Sequence, residues 1–345
     1  MSVSASECPD EILVKILQYS TLQERISVFS RVCRKWRRVC EKGLLWNVID
    51  IPPQFATNRF IAKILKGYAS PYCKVLRIRF YHPNECPKGN KVKPITVNMW
   101  ENIWKSCPNL SELYIDKADL VNMKNIWMLP NSIQRIYIHN CYNPHRDTGI
   151  AQMLTNSVRH SNLELLSTHH TPYFISRHQS DLRALSQNRT LTQLDLSNTI
   201  KVLDADYFRK AVVMMTQLTH LDISDGVRGL YSDDLSTMLH YLTKLKALDI
   251  STNTIDTRNR MDFGEVWKEI WANKAPNIEY VRICMLHFRD RGLRFCQPFF
   301  RIDEPFKPFV DRLDVKVYAC QVCNPNDHSC NVVSLLSPPC THIPL

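Results

Sequence analysis

Leu191-Thr192-Gln193-Leu194-Asp195-Leu196 is the stretch that decides the fold. Its pattern of leucine, two variable residues, leucine, one variable residue, leucine returns as Leu218, Leu221 and Ile223, and again as Leu245, Leu248 and Ile250. The starts at 191, 218 and 245 are 27 residues apart. Working outward, the same pattern fits Leu110, Leu113 and Ile115; Ile133, Ile136 and Ile138; and Ile278, Val281 and Ile283. It fits less well at Leu163, Leu166 and Thr168 and at Cys73, Leu76 and Ile78. Alternation of apolar and variable residues is the period of a strand, with the apolar set on one side.

Between these strands lie segments with helical spacing. Tyr207, Phe208, Ala211, Val212 and Met215 form one apolar face. Leu230, Leu235, Met238, Leu239 and Leu242 form a second, and Phe263, Val266, Trp267, Ile270 and Trp271 a third. A strand and a helix repeating every 27 residues is the signature of leucine-rich repeats, which stack into a curved solenoid with a parallel sheet on the concave face and helices on the convex one. At the ninth repeat position, Cys141 and Asn253 suit a side chain that bonds the turn backbone.

The N-terminal residues follow another rule. Pro9 suits the first turn of a helix, and Asp10 and Glu11 then set negative charge at the positive end of its dipole. Ile12, Leu13, Ile16 and Leu17 share one helical face. From Leu22 through Ile26, Phe29, Cys33 and Trp36 the spacing predicts a further helix of four turns, with Arg31, Arg34, Lys35, Arg37 and Arg38 on its other side. So small a core needs another surface to pack on.

The Pro9-Asp10-Glu11-Ile12-Leu13 opening, the Ile16-Leu17 pair, the Val32-Cys33-Arg34-Lys35-Trp36 string and the closing Leu45-Trp46 resemble an F-box in order and spacing. Cys8 stands where that family usually has leucine. F-box followed by repeats resembles the F-box/leucine-rich-repeat family over nearly the whole chain. The resemblance implies an α/β architecture of three parts: a helical F-box over residues 1–46, a repeat solenoid over 47–315 that opens on a short strand at Trp46–Ile51, and a tail over 316–345. It also implies a Skp-type adaptor as partner, and through it a cullin–RING ubiquitin ligase of the SCF type. Pro9, Glu11, Ile12, Leu13, Ile16, Leu17, Val32 and Trp36 are then the adaptor-binding candidates. The solenoid would hold a protein substrate, with the chemistry left to a partner ubiquitin-conjugating enzyme.

Composition bounds the alternatives. No stretch of the 345 residues approaches eighteen apolar ones, and residues 1–20 lack a basic start followed by an apolar run. The expectation is therefore a cytoplasmic or nuclear protein, with no membrane association. Thirteen cysteines, an odd number at irregular spacing, read as buried hydrophobes rather than disulfides. The net charge of +11 is spread along the chain without any run of five like charges, so nucleic acid is not expected as a partner.

Strand alternation assigns the variable positions of each repeat to the open concave face. The substrate-binding candidates there are Arg77, Arg79, Tyr114, Arg135, Tyr137, His139, His169, Asp195, His220, Asp222, Asp249, Tyr280 and Arg282. Asp195, Asp222 and Asp249 are expected to form a like-charged row, solvated or relieved by a basic segment. Arg77, Arg79 and Arg282 are each able to pair with phosphate.

In the tail, Cys320 and Cys323 precede His328, Cys330, Cys340 and His342, but the second half does not match a zinc knuckle. No metal and no cofactor are expected. With eight glycines and no phosphate loop, nucleophile elbow or paired metal histidines, the chain is expected not to be an enzyme. The alternatives are a repeat scaffold unconnected to ubiquitin and, behind it, a nucleic-acid-binding protein.

Overall fold

The computed structural model describes residues 8–69, 71–81, 95–122, 130–142, 162–171, 179–198, 203–224, 227–228, 230–250, 254–257, 277–282, 287–290, 293–295 and 316–318. The chain divides into two compact units, residues 1–136 and 137–345.

The first unit opens with α1 (Asp10–Gln18), α2 (Leu22–Ser27) and α3 (Arg34–Cys40). The single helix predicted from Leu22 to Trp36 is broken. The helix stops at Val28, a short 3-10 turn covers Phe29–Arg31, and Cys33 is extended. Stacking of Phe29 on Trp36, at 5.4 Å between ring centres, holds the two pieces together across the break. The start of α2 is fixed by a capping box: Thr21 Oγ1 accepts from Glu24 N–H, and the Glu24 carboxylate accepts from Thr21 N–H at 2.8 Å.

Arg25 does the most to fasten this module. Its guanidinium donates to the carbonyls of Leu17 (2.9 Å), Gln18 (3.2 Å), Ser20 (3.0 Å) and Leu45 (2.7 Å). It thus caps the C-terminal end of α1 and ties it to the chain that follows α3. Trp46, fully buried, donates from Nε1 to Cys40 O at 2.8 Å and so closes α3. At the other end, Asp10 pairs with Lys42 (2.9 Å) and Arg38 (3.4 Å). The Lys42 hydrogen bond holds the Asp10 carboxyl below the usual carboxylate range.

After this module come β1 (Val48–Ile51), α4 (Asn58–Ile64), β2 (Val75–Arg79), α5 (Val97–Ser106) and β3 (Glu112–Asp116). The strands pair in parallel with Ile49 opposite Leu76 and Leu76 opposite Leu113. β4 (Arg135–His139) begins at the end of this unit, its Arg135 N–H donating to Ser111 O at 2.9 Å. Cys73 and Cys107 are fully buried free thiols. Their mutual hydrogen bond and their burial keep Cys73 protonated far above the ordinary thiol range.

The second unit carries β5 (Leu165–Ser167), α6 (Gln179–Ser186), β6 (Gln193–Asp195), β7 (Leu203–Asp204), α7 (Ala205–Val212), β8 (His220–Asp222), β9 (Val227–Arg228), β10 (Leu230–Tyr231), α8 (Ser232–Tyr241), β11 (Ala247–Asp249) and β12 (Thr254–Thr257). It ends with β13 (Tyr280–Arg282), β14 (His287–Asp290), β15 (Leu293–Phe295) and β16 (Lys316–Tyr318). β5, β6, β8, β11, β13 and β16 lie side by side in one parallel sheet, with Leu166, Leu194, Leu221, Leu248 and Val281 in register. Of these, Leu166, Leu194, Leu221 and Leu248 are buried. α6 packs on α7 and α7 on α8. The LxxLxL strings and their helices are thus the elements expected of leucine-rich repeats. β16 falls within the stretch read as a tail. The third predicted helical face (263–271), Asn253 and the Cys320–His342 set lie outside the described residues.

A left-handed residue recurs at the eighth position of successive repeats: Lys117, Asn140, His170 and Asn198, with φ of 58°, 54°, 49° and 53°. Such backbone costs an L-residue about 1 kcal/mol or more, which asparagine tolerates best. The turns are tied to one another, Asn198 N–H donating to Ser224 O at 2.8 Å and His170 N–H to Ser197 O at 3.1 Å. At the ninth position Cys141 bonds the turn as expected, its Sγ donating to His139 O at 3.2 Å, and Thr171 serves it too. Its hydroxyl donates to Ile138 O at 2.8 Å and accepts from Cys141 N–H at 3.2 Å.

Candidate functional site

Two sets of side chains stand out, one on the helical module and one along the strands of the second unit. On the helical module the eight adaptor candidates separate by burial. Pro9, Glu11, Ile12 and Ile16 are exposed, as is Val32 after the 3-10 turn, and Trp36 is half-buried. Leu13 and Leu17, at 1% and 0% exposure, are instead core residues. The assignment of Leu13 and Leu17 to adaptor contact is corrected accordingly. They sit on the face of α1 that packs against α3 and the Gly43–Trp46 turn, and burying each stabilises the module by about 1.5–3 kcal/mol.

Ile12 and Ile16 are one helical turn apart, both 45% exposed, and Tyr19 continues the row at 91%. Val28, Val32 and Leu44 add exposed apolar side chains on the same module. Tyr19, Val28 and Leu44 were absent from the sequence-based set. The seven-residue step from Ile12 to Tyr19 was a legible signal; Val28 depends on the break in the helix.

Along the strands, the alternate positions differ between the units. In the first, Arg77 and Arg79 are exposed, Tyr114 is half-buried and Arg135 is exposed. Arg79 is held by the Asp50 carboxylate through two nitrogens, and Arg77 pairs with Glu112 at 3.4 Å. The hydrogen bonding of Asp50 raises the Arg79 guanidinium further above its ordinary range. Both arginines are thus charge-paired at the surface.

In the second unit the aspartate row expected on an open face is buried: Asp195 and Asp222 are 1% exposed and Asp249 is 0%. They lie directly opposite one another on adjacent strands, where Arg282 in turn stands opposite Asp249 and Tyr280 opposite Ala247. A buried carboxylate needs hydrogen bonds, and Asp195 and Asp222 have them. Asp195 accepts from Ser197 Oγ and Ser167 Oγ, each at 2.6 Å, and Asp222 accepts from Ser224 Oγ at 2.8 Å. Burial first, then Asp249 and Asp195, push the Asp222 carboxyl well above its ordinary range. The row is a structural polar core, not a solvated surface.

The predicted aromatic and histidine positions do come together. His139 Nε2 lies 2.7 Å from Ser167 Oγ, and His169 Nδ1 lies 2.6 Å from Ser197 Oγ. Because each serine donates its proton to Asp195, each accepts from the histidine, which makes His139 Nε2 and His169 Nδ1 the protonated nitrogens. Burial lowers both histidines to about 4. Tyr137 meets His139 edge-on at 5.8 Å, and His139 meets His169 at 5.6 Å. His220 stands apart, bonded to Thr219 Oγ1 at 2.8 Å, and burial lowers it as well.

Serine, histidine and aspartate in contact invite comparison with a nucleophilic triad, but the wiring is reversed. In a triad the carboxylate orients the histidine, which takes the serine proton. Here the carboxylate holds the serine directly and the histidine donates to it, so Ser167 is not activated. No cluster of metal ligands occurs among the described residues, and no helix among them is long and apolar enough to cross a membrane.

Residues 7–52 match the F-box-like family, and this range contains the exposed apolar row and the core that supports it. The N-terminal module is an F-box-like domain. The chain is also similar to F-box/LRR-repeat protein 12 of Homo sapiens, at 25% identity over 204 residues. The protein of that name from Bos taurus is 23% identical over 205 residues. The chain spans 57% of the length of these relatives, and the matches cover 57% and 58% of it. Among solved structures, internalin C2 from Listeria monocytogenes aligns over 77% of this chain and 84% of its own, with TM-score 0.38 and 15% identity.

Proposed function

We propose that this chain is a substrate-recognition adaptor of an SCF-type ubiquitin ligase. The F-box-like domain docks on a Skp-type adaptor, the repeats hold a protein substrate, and a partner enzyme carries out ubiquitin transfer in the cytoplasm or nucleus. The observation that carries this reading is the row Ile12, Ile16 and Tyr19, left exposed on a module whose neighbouring Leu13 and Leu17 are fully buried. Apolar side chains grouped in this way mark a surface that a partner covers. The similarity to F-box/LRR-repeat protein 12 supports the same role.

For the substrate, the half-buried Tyr137, His139 and His169 of the second unit and Tyr114 and Arg135 of the first are the contact candidates, since tyrosine and arginine are favoured in binding surfaces. Holding a substrate near the ubiquitin donor accelerates transfer by proximity alone, and no catalytic group of this chain is required.

Co-expression of the full chain with a Skp-type adaptor, followed by size-exclusion chromatography, tests the proposal. One peak containing both proteins is expected. A full chain that elutes alone and folded leaves the plain repeat scaffold as the reading.

A further inference from the structure

A cleft of about 420 Å³ opens in the first unit between α2, the 3-10 turn and α3 on one side and α4 with its flanking turns on the other. This volume lies within the range of sites that take a few side chains or a small ligand. Its apolar lining includes Ile26 and the rings of Phe55 and Phe60, which stack at 5.0 Å. Its charged lining is Arg31, Arg37 and Lys63 against one carboxylate, Glu41. Among the described residues none of these four makes an ion pair, although Arg37 Nε donates to Ser30 O at 3.2 Å.

The other basic residues nearby behave differently. Lys35, Arg38 and Lys42 share the single carboxylate of Asp10. At the cleft, three cations face one carboxylate and leave a positive excess beside two half-buried phenyl rings. Arg31 and Lys63 are exposed and able to reach an incoming anion. None of the cleft residues belongs to the exposed Ile12, Ile16 and Tyr19 row.

We infer that this cleft binds a short acidic peptide segment that carries an aromatic side chain, with the ring against Phe55 and Phe60 and the flanking carboxylates on Arg31, Arg37 and Lys63. Aromatic pairs add stabilisation beyond area burial, and the low polarity around the rings strengthens each carboxylate contact. A basic segment is disfavoured by the same three cations, and a purely apolar one leaves them unmatched. This inference does not rest on the Skp-type adaptor or on the strand residues.

The test is fluorescence anisotropy of the full chain with a labelled Asp-Glu-Phe-Asp-Glu-Glu peptide at 50 mM salt. Saturable binding is expected, weakened at least tenfold by Arg31→Glu or Lys63→Glu and by a rise to 300 mM salt. A peptide with alanine in place of phenylalanine should bind at least fivefold more weakly, and one with lysines in place of its acids should not bind. Both protein substitutions fall on exposed side chains, so circular dichroism should be unchanged. Failure of the acidic peptide to saturate, equal binding of the lysine peptide, or indifference to both charge reversals would overturn the inference.

Discussion

The strand positions of the two units obey the same alternation and end in opposite environments. In the first unit, Arg77 and Arg79 stay exposed and pair with Glu112 and Asp50 at the surface. In the second, the position that matches Arg77 carries Asp195, Asp222 and Asp249, all buried, the first two bonded to serines. Surface pairs contribute little to stability because water already solvates both partners. A buried carboxylate without its hydrogen bonds is costly. The same repeat therefore builds a tolerant surface in one place and a demanding polar core in the other.

That contrast is broken most sharply by substitution. Asp195→Ala leaves two buried serine hydroxyls without their acceptor and should lower the stability of the second unit by about 3 kcal/mol. Asp50→Ala should lower that of the first by about 0.5 kcal/mol. Native-state hydrogen exchange, read on peptides covering 191–224 and 47–80, separates the two. Equal effects would remove the distinction between buried row and surface pair.

The next effect is one of pH. His139 and His169 are lowered to about 4 in the fold, against about 6.5 when unfolded. The unfolded chain therefore binds more protons between these values. The histidines stabilise the fold fully above pH 6.5, and that contribution is lost as pH falls towards 4. Exchange in 162–198 should accelerate from pH 7 to pH 5, after correction for the intrinsic rate. A His139→Asn, His169→Asn protein should lack that acceleration; if it keeps the full slope, the histidines are not its source.

Asp222 has the opposite sign and a smaller effect. Its raised carboxyl contributes stability at low pH that fades as pH rises. Asp222→Asn keeps an acceptor for Ser224 while removing the like charge, so it should stabilise the second unit by about 1 kcal/mol at pH 8 and less at pH 5. A variant less stable at pH 8 would contradict the like-charge reading.

Much of this was legible in the residues. The spacing from Leu191 to Leu245 located the strands, because period-two apolar alternation at a fixed 27-residue step has few other physical solutions. Ile12 and Leu13 were legible as a helix but not as two roles, since adjacent apolar residues part only when the packing of α1 on α3 is known. The burial of Asp195, Asp222 and Asp249 was hidden for a related reason. Alternation tells which side of a strand a residue faces, not what covers that side. The four-carbonyl cap built by Arg25 left no signal either, because its acceptors are backbone atoms that any sequence supplies.

The most direct measurement of the docking claim is calorimetric titration of a Skp-type adaptor into the full chain and into its Ile12→Asp, Ile16→Asp variant. The two side chains are half-exposed, so the variant should unfold at the same urea concentration as the parent, while its affinity for the adaptor falls at least a hundredfold. A variant that stays folded and binds the adaptor as tightly as the parent would contradict the assignment of this row as the docking surface.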